Sequence, residues 1–203
     1  QLGVGQGADV LVAHMGPICA NGVLHAAAEE TPEADPDLAA GVRSRHVLVM
    51  GAGVVGLLTG LLAHHLGAAE VAVVDVTPAR LDAAAAVGLV PVDEAAVDPA
   101  AWAKDRWVHG PGDRGADVVF QCRGHGAALA TALRSLRPQR TVIDLAFYQD
   151  GADDVRLGEE FHHNALGIRC AQIGRVPRRT AATWDRRRLA DATLDLLQAH
   201  GDA

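Results

Sequence analysis

Short apolar runs alternate with stretches of helical spacing from residue 46 to the end of the chain. The apolar runs predict six strands, at about residues 47–50, 70–76, 89–92, 117–121, 141–147 and 168–173. The stretches between them predict five helices, at about residues 53–66, 77–88, 99–107, 127–136 and 184–200. Because right-handed crossovers place each helix over the sheet, the predicted fold class is α/β: a doubly wound parallel sheet of six strands with helices on both faces.

The first 45 residues lack this regularity. A glycine-rich start, residues 1–7, is followed by an apolar segment at 8–28 that has no clean period and is compatible with strand, helix or both. Residues 29–45 are rich in Glu, Asp and Pro and predict a solvated connector. We therefore expect a linking segment and connector at 1–45 and a nucleotide-binding domain at 46–203.

Composition excludes several classes of protein. The 203 residues are 49% hydrophobic and 21% charged, enough to build a core, and the net charge of −7 makes nucleic acid an unfavourable partner. The longest apolar stretch, residues 54–63, is far shorter than the ~20 residues a bilayer requires. We therefore expect no membrane partner. The odd number and wide separation of the cysteines predict free thiols and a cytoplasmic location; they are Cys19, Cys122 and Cys170.

The strongest chemical signal lies between the first predicted strand and helix, in the hexapeptide Gly51, Ala52, Gly53, Val54, Val55 and Gly56. The first glycine permits a tight turn, the second lets the backbone approach a pyrophosphate, and the third allows close packing of helix on strand. The amide groups of the first helical turn would then point at the phosphates.

Asp75 ends the second predicted strand, where a carboxylate would accept a hydrogen bond from the ribose 2′-hydroxyl of a dinucleotide. A 2′-phosphate would be repelled there, which favours NAD over NADP as the cofactor. Arg80 leaves the alternative open, because its cation could lie beside the ribose or offset that repulsion.

The segment HVLVMGAGVVGLLTGLLAHHLGAAEVAVVDVTPARLDAAAAVG resembles the cofactor-binding domain of the medium-chain dehydrogenase/reductase superfamily, which includes the zinc-dependent alcohol dehydrogenases. GADVVFQCRG and LRPQRTVIDLAFY are similar to the fourth and fifth strands of that domain. The resemblance covers about residue 8 to the C-terminus and implies a Rossmann fold. It also implies five further neighbours of the cofactor: Cys122, Arg123, Leu145, Ala146 and Phe147. Arg123 could hold an anionic substrate group or form a salt bridge at the mouth of the sheet.

The chain also departs from this family. The GroES-like catalytic domain is not recognisable, so we expect 1–45 to be a remnant linking segment and the chain to be a middle piece. The Gly-His-Glu motif that supplies one zinc ligand in the family is absent. Alignment places Ile18 at another ligand position, with Cys19 one residue away, so that Cys19 is either a vestigial ligand or a small buried thiol. Zinc is not expected in this chain, and no catalytic residue can be named.

The resemblance implies an NAD(P)-dependent dehydrogenase or reductase that transfers a hydride between NAD(H) and a small alcohol or carbonyl substrate, inactive as this stretch alone. The alternative is a non-catalytic NAD(H)-binding or dimerisation subunit. An S-adenosylmethionine methyltransferase is disfavoured by Val55, where such turns usually carry glycine. In the family the outer strand pairs with its twin, so we expect a homodimer through residues 168–173.

Overall fold

The computed structural model describes residues 4–200, and side chains for residues 14–194. Six parallel strands form one sheet: β1 (His46–Met50), β2 (Glu70–Asp75), β3 (Val90–Asp93), β6 (Val118–Gln121), β7 (Thr141–Asp144) and β8 (Gly167–Cys170). Their order across the sheet is β3-β2-β1-β6-β7-β8. This arrangement is the doubly wound, Rossmann-type order. The predicted fold class is confirmed.

The helices cover both faces of the sheet. They are α1 (Val4–Glu30), α2 (Val54–His65), α3 (Pro78–Ala86), α4 (Pro99–Arg106), α5 (Gly126–Ser135) and α6 (Arg186–His200). One hydrophobic cluster includes side chains of α1, α2, α3 and α6, and a second includes side chains of α4 and α5. Successive β1 residues belong to opposite clusters, Val49 to the first and Met50 to the second, because a strand's side chains alternate between the faces.

The register of the sheet decides where the site lies. Met50 at the end of β1 pairs with Val74 of β2 and with Gln121 of β6. The carboxyl ends of these three parallel strands therefore share one edge. The order of the sheet reverses between β1 and β6, and ligands of open α/β sheets bind in the crevice at such a point.

All six predicted strands are present, with shifted ends. β7 stops at Asp144, three residues before its predicted end, because the Asp144 carboxylate accepts a hydrogen bond from the Ala146 backbone N–H at 3.0 Å and starts a turn. The prediction of strand for Leu145, Ala146 and Phe147 is therefore wrong. β8 ends at Cys170, and α6 begins two residues later than predicted.

The N-terminal segment that the sequence left open is helical. α1 packs against α2 and α6, and residues 19–28 are buried on every side of the helix. The connector is less solvated than predicted, because Leu38 and Val42, within and next to a short 3₁₀ helix at Leu38–Gly41, are buried in the core. The domain boundary at residue 45 stays a prediction.

A two-stranded antiparallel hairpin, β4 (Val108–Gly110) with β5 (Asp113–Arg114), lies outside the main sheet and was not predicted. Among residues 4–200, no helix combines the length and apolar composition needed to cross a membrane.

Candidate functional site

The glycine-rich turn forms a cradle at the carboxyl end of β1. Gly51 has φ +98°, a left-handed conformation that favours glycine. A Cβ on Gly56 would lie 1.7 Å from the Gly51 carbonyl oxygen, so the third glycine is required for helix and strand to pack. A Cβ on Gly53 would meet no described atom within 4 Å, which leaves open space at the N-cap of α2.

The amino end of α2 has no side-chain cap. The first amide groups of a helix have no partner within the helix, and the helix dipole places partial positive charge there. Open space in front of such amides suits an anion such as a phosphate group.

Asp75 is buried beside the turn and binds it directly. Its Oδ2 accepts a hydrogen bond from the Ala52 N–H at 2.8 Å, and its Oδ1 accepts from the Val76 and Thr77 N–H groups, both at 2.9 Å. Burial opposes ionisation, but these N–H donors outweigh it and hold the pKa of Asp75 below its usual range. The carboxylate is therefore ionised at neutral pH.

Arg80 and Thr77 lie next to this carboxylate. Arg80 Nη1 is 3.6 Å from Asp75 Oδ2, and the Arg80 side chain is largely exposed. Thr77 occupies the N-cap position of α3, but its side chain forms no capping hydrogen bond. The predicted pair Asp75 and Arg80 is therefore together in the structure, with the cation free to turn toward solvent.

The end of β6 contributes the second wall. The Arg123 side chain forms an ion pair with Glu94, which follows β3, and a Cβ on Gly51 would lie 3.3 Å from the Arg123 Cβ. Arg123 therefore borders the glycine-rich turn, and the predicted alternative of a salt bridge at the sheet mouth is confirmed. A cleft of about 560 Å³ opens beside this ion pair, toward the loop at residues 150–154.

The predicted cofactor neighbours that follow β6 and β7 lie in different environments. Leu145 packs on α1, where a Cβ on Gly22 would lie 2.8 Å from a Leu145 methyl group. Phe147 is 79% exposed, whereas Cys122 is partly buried and burial raises the pKa of its thiol. Leu145 and Cys122 both pack against the first hydrophobic cluster, and the role of these residues as neighbours of the cofactor stays a prediction.

Sequence reasoning missed a polar pair at the same edge, the buried Asp144 and the half-buried Tyr148. The Tyr148 hydroxyl donates a hydrogen bond to Asp144 Oδ1 at 3.0 Å, and burial raises the pKa of both groups. Gln121 is fully buried near them, and its Oε1 has no hydrogen-bond partner among the described residues. The sequence signal for this pair was Asp144, which ends β7 in the same way that Asp75 ends β2.

The residues described here do not provide a catalytic zinc site at this edge. Cys19 is buried in α1, donates to the Val55 carbonyl oxygen at 3.4 Å, and has its pKa raised to about 11 by burial. A neutral, enclosed thiol is a poor metal ligand. Of the two alternatives for Cys19, the buried thiol is confirmed.

Fold and site together define a Rossmann-type domain with a glycine-rich turn beside an acidic strand end. A family profile described as "Zinc-binding dehydrogenase" matches residues 54–181, more than half of the chain. The chain belongs to this family of zinc-binding dehydrogenases, and the predicted resemblance is confirmed.

Individual proteins share part of this sequence or its fold. The chain is 30% identical over 152 residues to a D-guloside 3-dehydrogenase of Escherichia coli K12, an alignment that covers 74% of this chain and 42% of the relative. Galactitol-1-phosphate dehydrogenase from Escherichia coli superposes with a TM-score of 0.67 at 15% identity, covering 91% of this chain and 48% of that one. A zinc-binding dehydrogenase from Sinorhizobium meliloti bound to NADP gives 0.62 at 24% identity, covering 90% and 48%. The chain thus spans about half the length of the relatives it matches.

Proposed function

We propose that this chain is the NAD(H)-binding domain of an oxidoreductase that transfers a hydride between the cofactor and a small alcohol or carbonyl substrate. The observation that carries the proposal is the open space at Gly53, in front of the uncapped amino end of α2 and beside the Asp75 carboxylate. When bound, the nicotinamide supplies or accepts the hydride.

The residues of this chain would bind and orient the cofactor. The amide groups of the first turn of α2 would hold the diphosphate, and Asp75 would accept from one ribose hydroxyl. The ends of β6 and β7 would flank the nicotinamide, with Arg123 beside the turn. The matched relatives are named as dehydrogenases and reductases of sugars and polyols, which supports an alcohol or carbonyl as the substrate class.

The preference for NAD over NADP rests on hydrogen-bond capacity. A carboxylate offers about four acceptor sites. Three backbone N–H groups use three sites of Asp75, which leaves one on Oδ2 for a ribose hydroxyl. A 2′-phosphate at this place would meet the buried negative charge of Asp75, and Arg80 beside it is largely exposed to solvent.

We expect NADH to bind the chain at least about tenfold more tightly than NADPH, measured by isothermal titration calorimetry. Asp75→Asn should weaken NADH binding and reduce the ratio of NADH to NADPH affinity. The substitution replaces the charged carboxylate with a neutral amide, in which one of the two acceptor oxygens becomes a donor NH₂ group. Asp98→Asn is the matched control: Asp98 also accepts two backbone N–H groups, from Ala100 and Ala101, but at the start of α4. Equal or tighter binding of NADPH by the unmodified chain would contradict the preference, and absence of heat with both would overturn the proposed cofactor.

We also propose a homodimer through the outer edge of the sheet, the predicted residues 168–173. β8 has a strand neighbour on one side only within the described chain, and its Ile168 is 37% exposed. Light scattering coupled to size exclusion should give twice the chain mass, and Ile168→Lys should give the monomer. Val108→Lys, at a more exposed valine of the hairpin, is the control that should remain dimeric. A monomeric unmodified chain would refute this proposal.

A further inference from the structure

Three side chains capable of binding a metal meet at the amino-terminal edge of the sheet, opposite the glycine-rich turn. His46 begins β1, Asp117 directly precedes β6, and His109 lies on the β4–β5 hairpin. One ring nitrogen of each histidine and a carboxylate oxygen of Asp117 lie within 4.8 Å of one another. Nothing in the proposed cofactor chemistry uses these residues.

The contacts of the two imidazole rings are compatible with coordination of a metal. His46 Nδ1 is buried, has no hydrogen-bond partner among the described residues, and lies 3.7 Å from Asp117 Oδ2. The His46 ring stacks on Trp107 with a centroid distance of 5.5 Å, which restricts its rotation. His109 Nε2 lies 3.1 Å from the Gly115 carbonyl oxygen. Donation of the other ring N–H to a carbonyl is typical of metal-binding histidines, and it leaves Nδ1 of His109 with a free lone pair.

The charges around the cluster are compatible with a cation. Asp117 is buried, and its Oδ1 accepts from Arg137 Nη1 at 2.7 Å while its Oδ2 accepts from the His46 backbone N–H at 2.9 Å. The same guanidinium also pairs with Asp113. One arginine therefore serves two carboxylates, and a negative charge remains for a bound ion to balance.

We propose that His46, His109 and Asp117 form a Zn²⁺ site that joins the β4–β5 hairpin to the edge of the sheet. Two imidazoles and one carboxylate, with the fourth position open to water, are a common ligand set for zinc, and the nitrogen ligands disfavour Mg²⁺ and Ca²⁺. Tetrahedral bonds of about 2.1 Å place ligand atoms roughly 3.4 Å apart. His46 and Asp117 already approach that separation, so the hairpin has only to bring His109 closer.

The test is calorimetric titration of the untagged chain with ZnCl₂. We expect one equivalent to bind, with affinity reduced at least tenfold in His109→Ala. This variant changes a hairpin side chain and leaves the Asp117 contacts with His46 and Arg137 in place. His162→Ala is the matched control, because His162 and His163 are an exposed pair with ring centroids 5.6 Å apart and offer the competing surface site. It should bind zinc as the unmodified chain does.

Thermal unfolding provides a second measurement. Zinc should raise the Tm of the unmodified chain and of His162→Ala, and leave that of His109→Ala unchanged, because a ligand of the native state stabilises it. Failure of the unmodified chain to bind zinc, or loss of binding in His162→Ala with full binding in His109→Ala, would overturn the site. Neither result touches the proposed cofactor, since no nucleotide is present in the titration.

Discussion

Gly56→Ala is expected to lower the Tm of the chain by roughly 6–12 °C. The added Cβ would lie 1.7 Å from the Gly51 carbonyl oxygen and 2.9 Å from its carbon, and both are backbone atoms that cannot rotate away. Relief requires that α2 move off β1, at a cost of about 3 kcal/mol. A change of 1 kcal/mol shifts Tm by about 2–4 °C in a domain of this size, which gives the expected range. Circular dichroism during heating measures it.

Gly60→Ala is the matched control in the same helix. Its Cβ would lie 3.1 Å from the Leu89 Cδ1, the end of a side chain that can adjust, and at an ordinary contact distance of 3.5 Å from methyl groups of Val71 and Val73. Alanine is favoured over glycine inside a helix by about 1 kcal/mol, so the two effects offset each other. Equal Tm values for Gly56→Ala and Gly60→Ala would show that the turn does not require its third glycine for packing.

The parts of the fold that were predictable are those with local signals. β1, α2, β2 and α3 follow one another with clear periodicity, and the Gly67 and Gly88 residues that come just after the helices have the positive φ values typical of helix ends. α1 had no such signal. Residues 19–28 are buried all around the helix, so its sequence shows no polar face, and Pro17 interrupts the pattern further.

The candidate site was also predictable only where the signal is local. The glycines and Asp75 occupy fixed positions relative to a strand and a helix, so spacing alone located them. The Asp75 to Ala52 hydrogen bond, the Arg123 ion pair with Glu94 and the meeting of His46 with His109 depend on how distant segments are placed. No short sequence pattern encodes such contacts, because the residues around one partner contain no signal that identifies the other.

Gly53→Ala is expected to separate cofactor binding from folding. The backbone at Gly53, with φ −73° and ψ −179°, is open to alanine, and the new methyl group would meet no described atom within 4 Å. The loss of stability should therefore stay near 1 kcal/mol or less, the usual cost of alanine at an N-cap. The same methyl group would occupy the space in front of the first amide groups of α2, where the proposed diphosphate lies.

Displacing one or two hydrogen bonds to a charged group costs about 1.5–3 kcal/mol each, so NADH affinity in Gly53→Ala should fall roughly a hundredfold. Calorimetric titration with NADH, paired with the Tm of the same sample, measures both quantities. Gly158→Ala adds a methyl group in equally open space outside the turn and should bind NADH normally. If Gly53→Ala keeps full affinity, the diphosphate does not approach this glycine. If Gly53→Ala loses NADH affinity and Tm together, Gly53 is needed for packing of the folded chain, and the proposed diphosphate site is contradicted. Loss of affinity without loss of Tm supports that site, because the added methyl group then blocks a space that only the ligand fills.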